Sequence, residues 1–254
     1  DMIKRKRKGE TGMNRISVIC GHFGSGKTEF ALNYALAVKL QHPMVTIVDM
    51  DTVNPYFRTK DAAERMNEAG VRVIAPAFAN TNVDILSVPE EILSVFETPE
   101  CRGILDVGGD DEGAVVLGVY EKQIRAVGYE MLFVMNPNRP FTQTPEEALA
   151  MMGAIEQASH LSFTGLVNTA NLMEETTPEL VAEGEKIVLE TAQRAGLELK
   201  FTAAVPECLT KIADPKRGFP LNLFLQKPYG RIIIRKSFIP ILRSSRNAHD
   251  VLAA

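Results

Sequence analysis

The chain has 254 residues, 45% of them apolar and 24% charged, which is the balance of an ordinary globular protein with enough apolar area for a sizeable core. The formal net charge is −4, but Lys4, Arg5, Lys6, Arg7 and Lys8 against Asp1 and Glu10 give the first twelve residues +3, leaving about −7 on the rest. A body of that sign excludes a general electrostatic surface for nucleic acid. Cys20, Cys101 and Cys208 are widely spaced with no C-x-x-C, which excludes a zinc knuckle or a disulfide framework and points to a reducing, cytoplasmic setting. No run of 18 apolar residues occurs, and the basic start is not followed by a signal-peptide core. Neither a membrane span nor secretion is expected.

Residues 1–12 read as a disordered basic tail, and residues 13–254 as one domain. Residues 16–20 are a short apolar run ending at glycine, a strand. Residues 28–40 have helical spacing through Phe30, Ala31, Tyr34, Ala35 and Val38. A strand at 45–48, a helix at 59–69 closed by Gly70 and a strand at 71–75 follow. Next come a short helix at 89–96, a strand at 103–107 and a helix at 114–127 closed by Gly128. The strand at 129–135 ends at Asn136-Pro137. A helix at 145–158, a strand at 161–167, a helix at 178–195 closed by Gly196 and a strand at 197–205 complete the series. Near-continuous apolar strands separated by helices of ten or more residues predict a parallel sheet covered on both faces. Right-handed crossovers then give a three-layer, doubly wound, mostly parallel α/β domain. In 231–242, three adjacent isoleucines favour a strand and Pro240 would interrupt a helix, so no membrane anchor is expected there.

The chemistry concentrates where the first strand meets the first helix. Gly21, His22, Phe23, Gly24, Ser25, Gly26, Lys27 and Thr28 match G-x-x-x-x-G-K-[ST], the phosphate-binding P-loop. Glycines let successive backbone N–H groups face phosphate oxygens, and the helix N-terminus adds partial positive charge. Lys27 supplies a full charge to the β- and γ-phosphates and Thr28 a hydroxyl to Mg²⁺. Glu29, the next residue, is counted with the nucleotide contacts. A triphosphate site also needs a carboxylate for the metal. The strand ending at Asp106 supplies one, followed by Gly108 and Gly109, which allow the loop to approach the γ-phosphate. Asp110, Asp111 and Glu112 read chiefly as caps of the next helix. The second strand ends in Asp49 and Asp51, carboxylates suited to positioning an attacking water or binding the metal's water shell.

This order of P-loop, Asp-x-Asp about twenty-five residues later and strand-end Asp-x-Gly-Gly resembles the SIMIBI class of P-loop NTPases. Within that class it is similar to the MinD/ParA/Mrp-like (CobQ/CobB/MinD/ParA) proteins, over about residues 16–206. The resemblance implies ATP and Mg²⁺ as cofactors. It implies Lys27 and Thr28 on phosphate and metal, Asp51 as the switch aspartate that handles water, and Asp106 as the second metal ligand. It implies Asn168 as the reader of adenine, and Pro206 in the loop beside the base. One position departs from the pattern. The family places a lysine after the first glycine that reaches a partner's nucleotide across a dimer; here it is His22, mostly neutral at pH 7. Arg58 or Arg139 is then the candidate for the missing charge, and slow ATP hydrolysis is expected.

Two function classes follow. One is a nucleotide-dependent switch or maturation factor acting on a protein partner or a second copy. The other is an ATP-dependent ligase or small-molecule kinase like the cobyrinate and dethiobiotin relatives. Acceptor groups are thin (Asn138, Arg139 and the 110–112 cluster), and no glutaminase Cys–His pair is evident, so the switch is preferred. Asn168-Thr169-Ala170-Asn171 lacks the lysine of a guanine-reading Asn-Lys-x-Asp, which favours adenine.

Overall fold

The computed structural model of the chain describes residues 14–51, 59–75, 90–109 and 111–224. The 1–12 tail, residues 52–58 with Arg58, Asp110 and the 231–242 segment lie outside the described residues.

The strands are β1 (Ile16–Cys20), β2 (Met44–Met50), β3 (Val71–Ile74), β4 (Cys101–Val107), β5 (Tyr129–Met135), β6 (Gly165–Asn168), β7 (Leu199–Ala204) and β8 (Gly218–Pro220). The helices are α1 (Lys27–Lys39), α2 (Thr59–Glu68), α3 (Leu93–Glu97), α4 (Asp111–Val127), α5 (Pro145–Ser159) and α6 (Pro178–Ala195). The strands form one eight-stranded sheet in the order β3-β2-β4-β1-β5-β6-β7-β8. Every neighbouring pair is parallel, so the expected doubly wound α/β fold is the one observed.

Continuous apolar strands are required because both sheet faces are covered. Val18 and Cys20 of β1 join one core with α3 to α6, while Ile19 joins the other with α1 and α2. Leu105 and Val107 divide from Ile104 in the same way, and Met131 and Phe133 from Leu132. Successive side chains of a strand point to opposite faces, so each central strand must be apolar at consecutive positions. Helix starts follow local chemistry. Thr144 and Glu147 form a reciprocal capping box with Pro145 in the first turn of α5. Thr177 accepts from the Leu180 N–H at α6, which ends on left-handed Gly196.

Two elements differ from the sequence expectation. The strand expected over 161–167 begins only at Gly165. Ahead of it, side chains take the backbone amides: the Leu161 N–H donates to Ser159 Oγ, Ser162 to the Tyr129 hydroxyl and Phe163 to Glu156. With those donors occupied locally, the segment has no ladder to join. The second is β8, three residues with Gly and Pro at its ends, too short for any periodicity. Phe219 packs 5.3 Å from the Phe30 ring and 5.4 Å from Phe201, centroid to centroid. Aromatic burial thus holds a strand that propensity does not favour.

Gly103 of β4 lies where α3 crosses the sheet. A Cβ there would come within 2.4 Å of Val95 Cγ1 and 2.9 Å of Ile16 Cδ1. Gly103→Val is expected to lower stability by about 1–3 kcal/mol through overpacking. A Cβ on the exposed Gly153 of α5 would meet nothing within 4 Å, and Gly153→Ala is expected to raise stability by about 0.5–1 kcal/mol. Urea denaturation of the two variants checks the contrast.

Candidate functional site

All strands run parallel, so their carboxyl ends meet at one edge, and the loops leaving β1, β2, β4, β5, β6 and β7 gather there. The loop from Gly21 to Gly26 leaves β1 and enters α1 at a left-handed Gly26, φ 88°. That conformation is open to glycine and strained for a side chain bearing a Cβ. It starts the helix without a side-chain cap, leaving first-turn amides directed out of the helix end. The Ser25 N–H closes the loop onto His22 O at 3.0 Å. The β4–α4 loop approaches closely: a Cβ on Gly109 would lie 2.6 Å from the Phe23 nitrogen. Only glycine fits at 109.

Behind the loop lies a buried charge cluster. Lys27 is 5% exposed, Asp49 and Asp51 are each 6% exposed, and Asp106 is fully buried. Lys27 Nζ stands 3.7 Å from Asp51 Oδ2. The Asp51 N–H donates to Asp49 Oδ1 at 3.0 Å. β2 and β4 pair Asp49 directly with Asp106, and β1 sets Ile19 opposite Asp106 on its other side. Three carboxylates therefore share one ammonium. Burial pushes Asp106 up to about 6, against the lowering effects of Lys27 and of the nearby Thr28 hydroxyl, with Asp51 adding to the rise. Burial, then the Asp106 charge, pushes Asp49 up to about 7, while its bond from the Asp51 N–H and the Lys27 charge act downward. Thr28 lies close enough to Asp106 to act on its charge, yet neither Asp106 oxygen has a hydrogen-bond partner in acceptable geometry. A buried carboxylate with both oxygens free of partners suits a hard cation. No group of three or more His, Cys, Asp or Glu among the described residues forms a metal cage. The fit is therefore to an ion such as Mg²⁺, which takes one or two protein oxygens and fills its shell with water and phosphate.

The neighbouring loops lock onto this centre. Thr169 Oγ1 donates to Ser25 O at 2.7 Å and Met135 O at 3.1 Å. Fully buried Asn136 accepts from the Asn138 N–H and the Asn171 N–H, and donates to Asn171 O. The His22 and Phe141 rings meet edge to face at 5.5 Å. The Arg139 side chain lies over the P-loop, its Nε 3.6 Å from where a Cβ on Gly24 would stand.

The structure thus brings Gly21 to Thr28, Asp51 and Asp106 together, as expected from the sequence, and adds Asp49 to their cluster. Other candidates sit differently. Asn168 is fully buried, its amide donating to Val181 O and accepting from the Ala170 N–H. The residues of that loop that touch the P-loop are Thr169 and Asn171, whose Nδ2 is 4.0 Å from the Cβ position of Gly26. Glu29 accepts from the Phe224 N–H and so faces the segment after β8. Pro206 is exposed at the end of β7 and starts a short 3₁₀ turn, Pro206–Cys208. Thr169 and Asn136 carried no motif. Their only signal was a polar residue at the end of an apolar strand.

The doubly wound parallel sheet is the fold of P-loop NTPases, and solved structures share it. A crystal structure of the cell division protein FtsY from Thermotoga maritima matches with a TM-score of 0.53 at 20% identity, over 82% of this chain and 69% of that one. FtsY from Mycoplasma mycoides matches with a TM-score of 0.49 at 16% identity, over 79% of this chain and 63% of that one. The signal recognition particle 54 kDa protein from Aeropyrum pernix, in complex with GDP, gives 0.47 at 17%, over 76% and 42%. This chain spans less than two thirds of the length of the last two. No protein-family model matches the chain, and no curated protein does.

Protonation of Asp106 belongs to the folded state. Its folded value of about 6 lies above the roughly 3.9 of an unfolded aspartate. The stability it contributes is therefore fully present below about pH 4 and lost as pH rises through about 6. In metal- and nucleotide-free protein, Asp106→Asn is expected to melt several degrees above the parent at pH 8, with the gap closing toward pH 5. Scanning calorimetry at the two pH values tests this, and an equal gap at both contradicts it.

Proposed function

We propose that the chain is a Mg²⁺- and ATP-binding switch of the MinD/ParA-like kind, whose triphosphate-bound form engages a protein partner. The carrying observation is the buried Lys27–Asp51 pair at 3.7 Å, set between the P-loop amides and the partnerless Asp106 carboxylate. In this reading the triphosphate takes Asp51's place as the counter-ion of Lys27. The P-loop amides and the N-terminus of α1 hold the phosphate oxygens. Mg²⁺ would be held by the Thr28 hydroxyl and Asp106, with Asp51 reaching its water shell. When bound, the ion neutralises charge on the β- and γ-phosphates.

In this reading Asp51, exchanged for phosphate at Lys27, orients a water. Asp51 Oδ1 lies 3.4 Å from where a Cβ on Gly108 would stand, so a change at Asp51 takes place beside the β4–α4 loop. In this reading phosphate occupancy is coupled to that loop. Large apolar side chains stand exposed around that edge: Phe23 at 52%, Phe141 at 64% and Met173 at 61%. Such side chains suit a docking partner. Nothing obliges rapid turnover, and hydrolysis by the isolated chain is expected to be slow.

Lys27→Ala is expected to weaken binding of Mg·ATP by 100-fold or more, as for loss of a buried charge on a phosphate. Calorimetric titration with ATP and GTP, each with and without Mg²⁺, reads both the phosphate and the base claims. Unchanged affinity in Lys27→Ala defeats the nucleotide reading, and tighter binding of GTP defeats the adenine assignment alone. Light scattering with and without a slowly hydrolysed ATP analogue tells whether the partner is a second copy.

A further inference from the structure

Besides Lys27, the structure holds a second cation beside the P-loop. Arg139 leaves the end of β5 and lies across Gly24. Its Nε, Cδ and Cζ are 3.6, 3.9 and 4.0 Å from the position a Cβ on Gly24 would occupy. Even a Cβ at Gly24 would meet the guanidinium only at van der Waals distance, so the side chain lies alongside the loop. Its Nε is buried and has no hydrogen-bond partner, and among the described residues Arg139 makes no ion pair. The side chain as a whole is half-buried; a buried N–H without an acceptor is costly, and the partner that fits a guanidinium beside the phosphate-loop sequence is a phosphate oxygen.

The loop that carries Arg139 is braced. The Arg139 N–H donates to Asn136 O at 3.0 Å, and the buried Thr142 hydroxyl donates to Asn136 O at 2.8 Å. Pro137 and Pro140 flank the turn. Phe141 is held left-handed, φ 65°, a strained conformation for an aromatic residue. Its ring meets His22 on the P-loop itself. Bracing fixes the backbone of the turn that presents Arg139, whose side chain lies beside Gly24.

We infer that Arg139 is a phosphate-binding residue acting within its own chain. It contacts the terminal phosphate of a bound nucleoside triphosphate and makes the site prefer triphosphate over diphosphate without a second subunit. This rests on the nucleotide reading above but is separable from it. Lys27 serves the β- and γ-phosphates alike, whereas Arg139 discriminates between nucleotides that have a γ-phosphate and those that lack it.

The experiment is calorimetric titration of the full chain with ATPγS and with ADP, both with Mg²⁺. In Arg139→Ala, affinity for ATPγS is expected to fall roughly 10- to 100-fold, the range for a lost hydrogen bond between charged groups, while ADP affinity stays within about threefold. Arg139→Lys, which keeps a point charge without the planar fork, is expected to recover part of the preference; it also serves should Arg139→Ala fail to fold. Equal loss for both nucleotides, or none for either, overturns the assignment and leaves the nucleotide reading intact. A parent chain that binds neither nucleotide overturns both. Mixing Arg139→Ala with Lys27→Ala tests the within-chain claim: a restored ATPγS preference would mean that Arg139 is supplied across a dimer, and no restoration is expected.

Discussion

The structure turns on a buried imbalance of charge. Lys27, Asp49, Asp51 and Asp106 are withdrawn from water at the carboxyl edge of the sheet, and one ammonium cannot satisfy three carboxylates. Burying such a set of charges is unfavourable in a protein interior unless each is paired. The fold tolerates it by letting Asp49 and Asp106 hold protons more tightly than free aspartates do. Under the proposed function the arrangement is explained by a dication and a polyphosphate that it would receive, rather than by what it contributes to stability.

Three backbone devices keep this cluster in place. The parallel register sets Asp106 between Ile19 and Asp49, so its carboxylate has apolar strand on one side and a like charge on the other. Left-handed Gly26 turns the chain into α1 with Lys27 and Thr28 on its first turn. The hydrogen bonds of Thr169 to Ser25 O and of Asn136 to Asn171 tie the β5 and β6 loops to the P-loop. Each of these loops therefore shares a hydrogen bond with another, which holds them to one another.

Strain and exposure fall at the same edge. Phe141 and Met173 are both left-handed, with φ of 65° and 58°, and both are more than half exposed. Large apolar residues in such conformations are disfavoured twice, by backbone sterics and by contact with water. They sit on the two loops knit to the P-loop and outside the core, which is apolar and continuous on both sheet faces.

The sequence by itself determined the sheet and the phosphate loop. Both are local consequences of chain chemistry: apolar runs of strand length alternate with helices, and the P-loop spacing supplies glycine, lysine and threonine at fixed offsets from a strand end. The late start of β6 was not legible, because it depends on the hydroxyl of Tyr129 and the carboxylate of Glu156, distant in sequence and adjacent only after folding. Nor was β8, which is held by aromatic rings from α1 and β7. Tertiary structure alone decided which polar residues reach the P-loop. It brought in Thr169 and Asn171 and gave Asn168 and Glu29 other partners, because side-chain direction at a strand end is fixed by the neighbouring loops and leaves no periodic trace in the chain.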